Sequence, residues 1–220
     1  MNAWALPGRA SIFEGCEVLQ MKKEIYFKKD GNYAEIMIER PAFSNALNTH
    51  LIEHMDKMLD EIENDKEIKC LVITGAGEKA FIAGADIEQL ETMGPREARY
   101  LIEVGHRVFN RIEMMKLPTV AAINGYCLGG GLELALCCDI RICSSNAKFA
   151  LPEIKLGVIP GWGGTIRLPR IIGEGRAKEM IYRGRMLTAE EAISYGLVTS
   201  VYESVEVLRA KTRELAEELA

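Results

Sequence analysis

Two carboxylates stand in apolar text, where a soluble protein has little reason to place charge. Glu133 lies in "GYCLGGGLELALCCD", residues 125–139, three positions after Gly130 and ahead of Leu134, Ala135, Leu136, Cys137 and Cys138. Glu153 lies twenty positions on, in "FALPEIKLGVIPG", directly after Pro152. A carboxylate in a low-dielectric setting has its charged form disfavoured, which moves its pKa toward working pH. Two such acids facing one cavity can share the activation of a water and the delivery of a proton to carbon. Read singly, each has a plainer meaning: Glu133 as a dipole-stabilising acid in a first helical turn, Glu153 as an exposed loop acid.

The glycines Gly129, Gly130 and Gly131 supply a second chemical element. The first turn of a helix carries backbone N–H groups with no internal partner and partial positive charge from the aligned peptide dipoles. Glycine there lets a ligand atom approach the backbone closely. The combination suits an oxygen that is negative or becomes so during reaction.

Three other patterns carry less. "HLIEH" fits the HxxEH spacing of one class of zinc peptidase. Its His50, Glu53 and His54 fall opposite the Leu51/Ile52/Met55/Leu59 face and no third ligand is identified, so a solvated helix face is expected and no metal site. "GAGEKA", Gly75 to Ala80, satisfies GxGxxG/A, but "FIAGAD" follows with another glycine where a dinucleotide fingerprint needs a helix. A glycine turn at a strand end is the expectation. "PGWGGT", Pro160 to Thr165, reads as a tight turn leading into a helix at Thr165.

The elements that must position the acids follow from periodicity. "EIYFKKD" and "YAEIMIER" are extended runs joined by Gly31-Asn32, an antiparallel hairpin ended by Pro41. From Asn48 to about Asn64 apolar residues recur at helical spacing, with Asn48 or Thr49 as N-cap. The strand "CLVIT" and a glycine-containing loop come next. A long helix from Pro95 to Met115 precedes the strand "TVAAIN", which is expected to deliver the chain straight into the glycines and the apolar helix of Glu133. "DIRICS" and "LVTSVY" read as further strands, and a polar helix starts at Val205. This alternation calls for a mostly parallel sheet covered by helices.

Composition narrows the function classes. The 220 residues suit one domain, and the 48% hydrophobic and 27% charged content is that of an ordinary globular chain. No apolar run is long enough to span a bilayer, so no membrane role is expected. A formal charge of −5, with no basic run interleaved with aromatics, argues against a nucleic-acid partner. The six cysteines form no CxxC pair and mostly lie in apolar runs, which fits free thiols in a reducing compartment. A cytoplasmic location is expected, with an organellar matrix as the alternative. Residues 1–20 lack the plan of a secretory signal, and Met21-Lys22-Lys23 reads like a second start. They are expected to form an upstream extension that contributes little to the fold, with the core domain over 21–220.

Together "RPAFSNALN", "FIAGADI", "NGYCLGGGLELALCCD" and "LPEIKLGVIPGWGGT" resemble the signature segments of the crotonase, or enoyl-CoA hydratase/isomerase, superfamily, in the same order and spacing. The resemblance runs from about Ile25 to Ala220. It implies an α/β spiral of repeated ββα units and an acyl-CoA thioester as substrate, with coenzyme A as part of that substrate and no separate cofactor. By the same resemblance, the N–H groups of Ala85 and Gly130 form the oxyanion hole for the thioester carbonyl. Glu133 activates the water that adds at C3, and Glu153 supplies the proton at C2. Ala83, Gly84, Asp86, Ile87 and Gly129 fall where relatives contact coenzyme A and substrate.

Members that hydrate 2-enoyl-CoA resemble this chain in having both glutamates, which favours a hydratase for short- or medium-chain substrates. A 3-enoyl-CoA isomerase or another acyl-CoA lyase is the alternative, followed by a CoA-binding member without catalysis and an RNA-binding one. One departure is Glu88, where many relatives carry a basic residue two places after the Asp of "GAD"; Lys79 is a possible substitute. Relatives also continue with helices that build a trimer, or dimer of trimers, whereas this sequence stops at "ELAEELA". A core truncated at its C-terminus, with weakened self-association, is therefore expected.

Overall fold

The structure is a computed structural model that describes residues 24–220. The expectation for residues 1–20, and Cys16 with it, lies outside the described residues. β1 (Ile25–Asp30) and β2 (Tyr33–Ile38) form the expected antiparallel hairpin, with Ile25 opposite Ile38 and Asp30 opposite Tyr33. Gly31 makes the turn at φ +56°, a conformation that glycine adopts without a Cβ penalty. A 3-10 turn over Pro41–Phe43 leads to α1 (Thr49–Asn64). Asn48 is the N-cap: its Oδ1 accepts from the Leu51 N–H at 2.8 Å, satisfying one of the free donors of the first turn. Leu51, Ile52, Met55, Met58, Leu59 and Ile62 are the buried stripe of this helix.

From here the chain repeats one plan three times. β3 (Cys70–Gly75) is followed by β4 (Ala80–Ile82), then α2 (Ile87–Thr92) and α3 (Pro95–Glu113). β5 (Thr119–Ile123) is followed by β6 (Tyr126–Leu128) and α4 (Gly130–Ala135). β7 (Ile140–Ser144) is followed by β8 (Lys148–Ala150), a 3-10 turn over Glu153–Leu156 and α5 (Gly164–Ile172). α6 (Glu174–Arg183), β9 (Leu187–Thr188), α7 (Ala189–Ser194), β10 (Ser200–Tyr202) and α8 (Val205–Leu219) complete it. Among the described residues the first strand of each unit joins one sheet, in the order β1-β2-β3-β5-β7-β10, and the second joins another, β4-β6-β8-β9. All pairings after the hairpin are parallel except β8 with β9. This is the expected spiral of ββα units.

Alternate residues of the first sheet feed two cores, as the two-residue period of a strand requires. Ile36, Ile73, Ala121 and Cys143 face the main core, shared with α1, α3 and the second sheet. Val72, Val120, Ala122 and Ile142 face a smaller cluster with Leu208 and Ala216 of α8. Strands buried on both faces read as continuous apolar runs, which is how "CLVIT" and "TVAAI" appear in the sequence.

Three local expectations need correction. "TVAAIN" does not run directly into the glycines, because β6 intervenes and transfers the chain to the second sheet. Part of the glycine-containing loop after "CLVIT" is a strand, since Ala80–Ile82 pairs with β6 as β4. The apolar helix stops at Ala135, before Cys137 and Cys138. The chain must turn there because Asp139 is tied back to Thr119: its Oδ2 accepts from the Thr119 N–H and hydroxyl, both at 2.8 Å.

Candidate active site

The second strand of each unit ends in a loop, and these loops bring the candidate residues together. After β4 the chain turns through Gly84, at φ +99°, to Ala85. Ala85 forms a parallel bridge with Leu47, in which Leu47 donates to the Gly84 carbonyl and accepts from the Asp86 N–H, both at 2.8 Å. A parallel bridge uses the groups flanking the bridged residue, so the Ala85 N–H points away from Leu47. The Ala83 N–H is committed to the Ser44 carbonyl at 3.1 Å.

Asp86 has structural work. Its Oδ1 accepts from the Gln89 N–H at 3.3 Å to cap α2, and its Oδ2 pairs with Arg40 Nη1 at 2.9 Å. Arg40 also donates to the Ala46 carbonyl at 2.8 Å, so the pair fixes the segment that aligns Ala85. Ile87 opens α2 with an exposed side chain.

After β6 the chain passes through Gly129, at φ +50° and ψ −125°, into α4. Each glycine of the triplet has its own steric reason. A Cβ on Gly129 would lie 3.1 Å from Glu153 Oε1 and 3.7 Å from the Gly84 Cα. One on Gly130 would lie 2.3 Å from Trp162 Cζ3, and one on Gly131 would lie 2.1 Å from the Ile82 carbonyl oxygen. The Gly129 N–H donates to the Ala150 carbonyl at 2.9 Å. Gly130 is the first residue of α4, so its N–H has no partner inside the helix.

Glu133 is 1% exposed. Its Oε1 accepts from the Trp162 N–H at 2.7 Å and the Gly164 N–H at 2.8 Å. Burial pushes its pKa up, while those two donors and the Arg167 guanidinium oppose the rise by favouring the carboxylate. Glu153 opens the 3-10 turn after β8, and its Oε2 is buried with no hydrogen-bond partner. Burial, with a contribution from the Glu133 charge, raises its pKa to about 7. The two acids are thus set apart: one is held by donors that favour its anion, the other is poised to carry a proton near neutrality.

The "PGWGGT" segment was expected to be only a tight turn before a helix at Thr165. The helix begins at Gly164, and the turn supplies both donors to Glu133. Its signal in the sequence is thin, because any residue has a backbone N–H. Only the glycines mark the geometry, Gly163 standing at φ +102° with Arg167 Nη1 2.1 Å from where its Cβ would be.

The patterns set aside above stay outside the site. "GAGEKA" is a turn between β3 and β4, with Gly77 at φ +78°, and no helix follows that could receive a pyrophosphate. On α1 the His50 and His54 rings lie 4.2 Å apart, and Glu53 accepts from the Tyr100 hydroxyl at 2.7 Å. Among the described residues no group of three or more His, Cys, Asp or Glu side chains is arranged to hold a metal ion. Nor is any described helix long and apolar enough to cross a membrane.

A family model described as enoyl-CoA hydratase/isomerase matches residues 28–220. The chain belongs to the enoyl-CoA hydratase/isomerase family. It is 45% identical over 195 residues to a short-chain-enoyl-CoA hydratase of Clostridium acetobutylicum, covering 89% of this chain and 74% of that protein. It is 44% identical over 186 residues to a crotonyl-CoA hydratase of Syntrophomonas wolfei, covering 84% and 72%. The crystal structure of an enoyl-CoA hydratase from Bacillus anthracis superposes with a TM-score of 0.87 at 40% identity, over 90% of this chain and 76% of that one.

Proposed function

We propose that this chain catalyses the reversible hydration of short- or medium-chain trans-2-enoyl-CoA thioesters to 3-hydroxyacyl-CoA. The observation that carries this reading is the convergence on Gly129: the Glu153 carboxylate, the Gly84–Ala85 turn and the start of α4 meet there, one helical turn from Glu133. Relatives named short-chain-enoyl-CoA and crotonyl-CoA hydratase support the substrate class.

In this reading the thioester oxygen lies between the Ala85 and Gly130 N–H groups, which stabilise the negative charge it gains as the enolate forms. Removal of one such donor typically costs about 3–4 kcal/mol of transition-state stabilisation. Glu133, whose anion the Trp162 and Gly164 N–H groups favour against the effect of burial, takes a proton from water as the oxygen bonds to C3. The enolate then collapses as Glu153 gives its proton to C2, and dehydration reverses both transfers. The apolar side chains of Ile154, Leu156, Val158 and Ile159, exposed on the segment that begins with Glu153, suit a hydrocarbon tail. Coenzyme A enters as part of the substrate, along the Ala83–Ile87 segment and Gly129, and no separate cofactor or metal takes part. The protein acts in the cytoplasm and self-associates as a trimer or a dimer of trimers.

The test is the loss of conjugated-enone absorbance on adding crotonyl-CoA. Wild-type protein consumes it, before and after dialysis against a chelator, whereas Glu133→Gln and Glu153→Gln fall by orders of magnitude. Wild-type rates in both variants would refute the assignment. With 3-enoyl-CoA the same acids could move a proton without adding water, so product analysis on 2-enoyl and 3-enoyl thioesters separates hydratase from isomerase.

A further inference from the structure

Arg167 makes no hydrogen bond to either candidate acid, and its guanidinium is almost entirely enclosed. It is 5% exposed, on the first turn of α5, and folds back under the segment that precedes its own helix. Nη1 donates to the Trp162 carbonyl at 2.7 Å. Nε donates to Glu113 Oε2 at 2.8 Å, and Nη2 donates to Asn110 Oδ1 at 2.5 Å. The last two partners sit on α3, so one planar side chain ties the Trp162–Gly164 segment to a helix from another turn of the spiral.

The peptide it holds is the decisive one. The Trp162 carbonyl belongs to the Trp162–Gly163 peptide, and the peptides on either side carry the Trp162 and Gly164 N–H groups. Both donate to Glu133 Oε1. Displacing the central peptide would carry the flanking peptides with it and draw the donors off the carboxylate. Gly163 is needed for the same contact, because a Cβ there would occupy the place of Nη1. A guanidinium meets three acceptors in fixed directions with its planar fork, which an ammonium cannot do.

We propose that Arg167 is a positioning residue for Glu133: by clamping the Trp162–Gly163 peptide to Asn110 and Glu113 it aims the two N–H groups that hold the Glu133 carboxylate. The inference rests on the water-activating role proposed for Glu133. It also has an electrostatic side, for the buried cation favours the Glu133 anion. The other titratable groups in reach are Glu153, whose charge is coupled to that of Glu133, and Cys137, which faces Glu133, Arg167 and Glu113.

The sign of the effect follows directly. Glu133 must be ionised to accept a proton from water, so kcat/KM for hydration rises with pH through its pKa. Losing the Arg167 charge raises that pKa and carries the acid limb to higher pH. Removing the Glu113 charge leaves the Arg167 cation less neutralised and carries the limb the other way.

The experiment compares Arg167→Met, Arg167→Lys and Glu113→Gln in full pH profiles of crotonyl-CoA hydration, with thermal unfolding of each. Arg167→Met, which keeps the aliphatic stem, should lower kcat about tenfold to a hundredfold, the usual scale for a misaligned catalytic group. Its acid limb should move up in pH. Arg167→Lys keeps the charge but not the fork, so kcat should fall while the limb stays in place. Glu113→Gln keeps an acceptor for Nε and should move the limb down. A purely structural Arg167 would lower the unfolding temperature with kcat and the acid limb unmoved, and that result overturns the proposal. If Arg167→Met does not fold, an unmoved limb in Glu113→Gln overturns it instead. Glu133→Gln run in parallel keeps the two readings apart, since wild-type activity there refutes the role of Glu133 itself.

Discussion

Gly129 and Glu153 are in direct apposition: a Cβ on Gly129 would stand 3.1 Å from Glu153 Oε1, and the backbone there is at φ +50°. Gly129→Ala therefore meets two obstacles, a backbone conformation at φ +50° and ψ −125° that lies outside even the left-handed helical region and costs an L-residue on the order of 1–3 kcal/mol, and a methyl pressed on the proton donor. Hydration of crotonyl-CoA should fall at least about tenfold in kcat, with a modest drop in unfolding temperature. Wild-type kcat in Gly129→Ala would mean that the Glu153 carboxylate has another resting place.

The raised pKa of Glu153, about 7, predicts that hydration falls as pH rises through that value, because only the protonated acid can deliver hydrogen to C2. Dehydration of 3-hydroxybutyryl-CoA reverses both transfers and needs the same singly protonated pair, with Glu153 ionised and Glu133 protonated. No proton is gained or lost overall, so kcat/KM in the two directions should share one pH profile with that falling limb. Profiles in both directions across pH 5–9 check this, and the absence of a fall through about pH 7 would exclude Glu153 as the group that exchanges the proton.

What the sequence discloses depends on whether a role belongs to a side chain or to the backbone. Glu133 and Glu153 stand out because a carboxylate in apolar text is anomalous by residue type. The hairpin at Gly31-Asn32 and the stripe of α1 are legible because turn chemistry and helical spacing are local. The second sheet is not, since β4, β6 and β8 are three residues each, too short for alternation to register. The donors from Trp162 and Gly164 are hidden because every residue has an N–H. Arg167 carries no local mark in the sequence, and its partners Asn110 and Glu113 lie more than fifty positions earlier.

Arg111 joins α3 to α1 and offers a control away from the chemistry. Its guanidinium meets Asp56 Oδ1 at 2.9 Å, Asp60 Oδ1 at 2.6 Å and Glu63 Oε2 at 2.7 Å, three acids along one face of α1. Isolated exposed pairs contribute about 0–1 kcal/mol, but removing Arg111 leaves Asp60 and Glu63 to repel each other, while Asp56 keeps its pair with Arg107 at 3.0 Å. Arg111→Ala should lower stability by about 1–2 kcal/mol in low-salt urea unfolding, less at 1 M salt where charges are screened, with kcat unchanged. A loss independent of salt would assign the effect to packing of the arginine stem instead.

Trp162 and Gly130 form the wall behind the proposed oxyanion hole, and their fit is mutual. The indole is 2.3 Å from where a Gly130 Cβ would be and 2.2 Å from where a Gly105 Cβ would be, and it meets the Phe109 ring edge-on at 5.3 Å. With α3 on one side and α4 on the other, the ring has no room to retreat. Glycine inside a helix costs about 1 kcal/mol relative to alanine, and at position 105 of α3 the indole explains its presence. Gly130→Ala should therefore be strongly destabilising, and Trp162→Ala should cost about 3–5 kcal/mol through the cavity it leaves. The two changes should not add. In the Gly130→Ala background, removing the indole relieves the overlap, so Trp162→Ala should cost less there by about 0.5–3 kcal/mol, the range found for residues in contact. A double-mutant cycle in urea measures this difference. Simple additivity would show that Gly130 is glycine for the approach of the thioester alone and not for the seat of the indole.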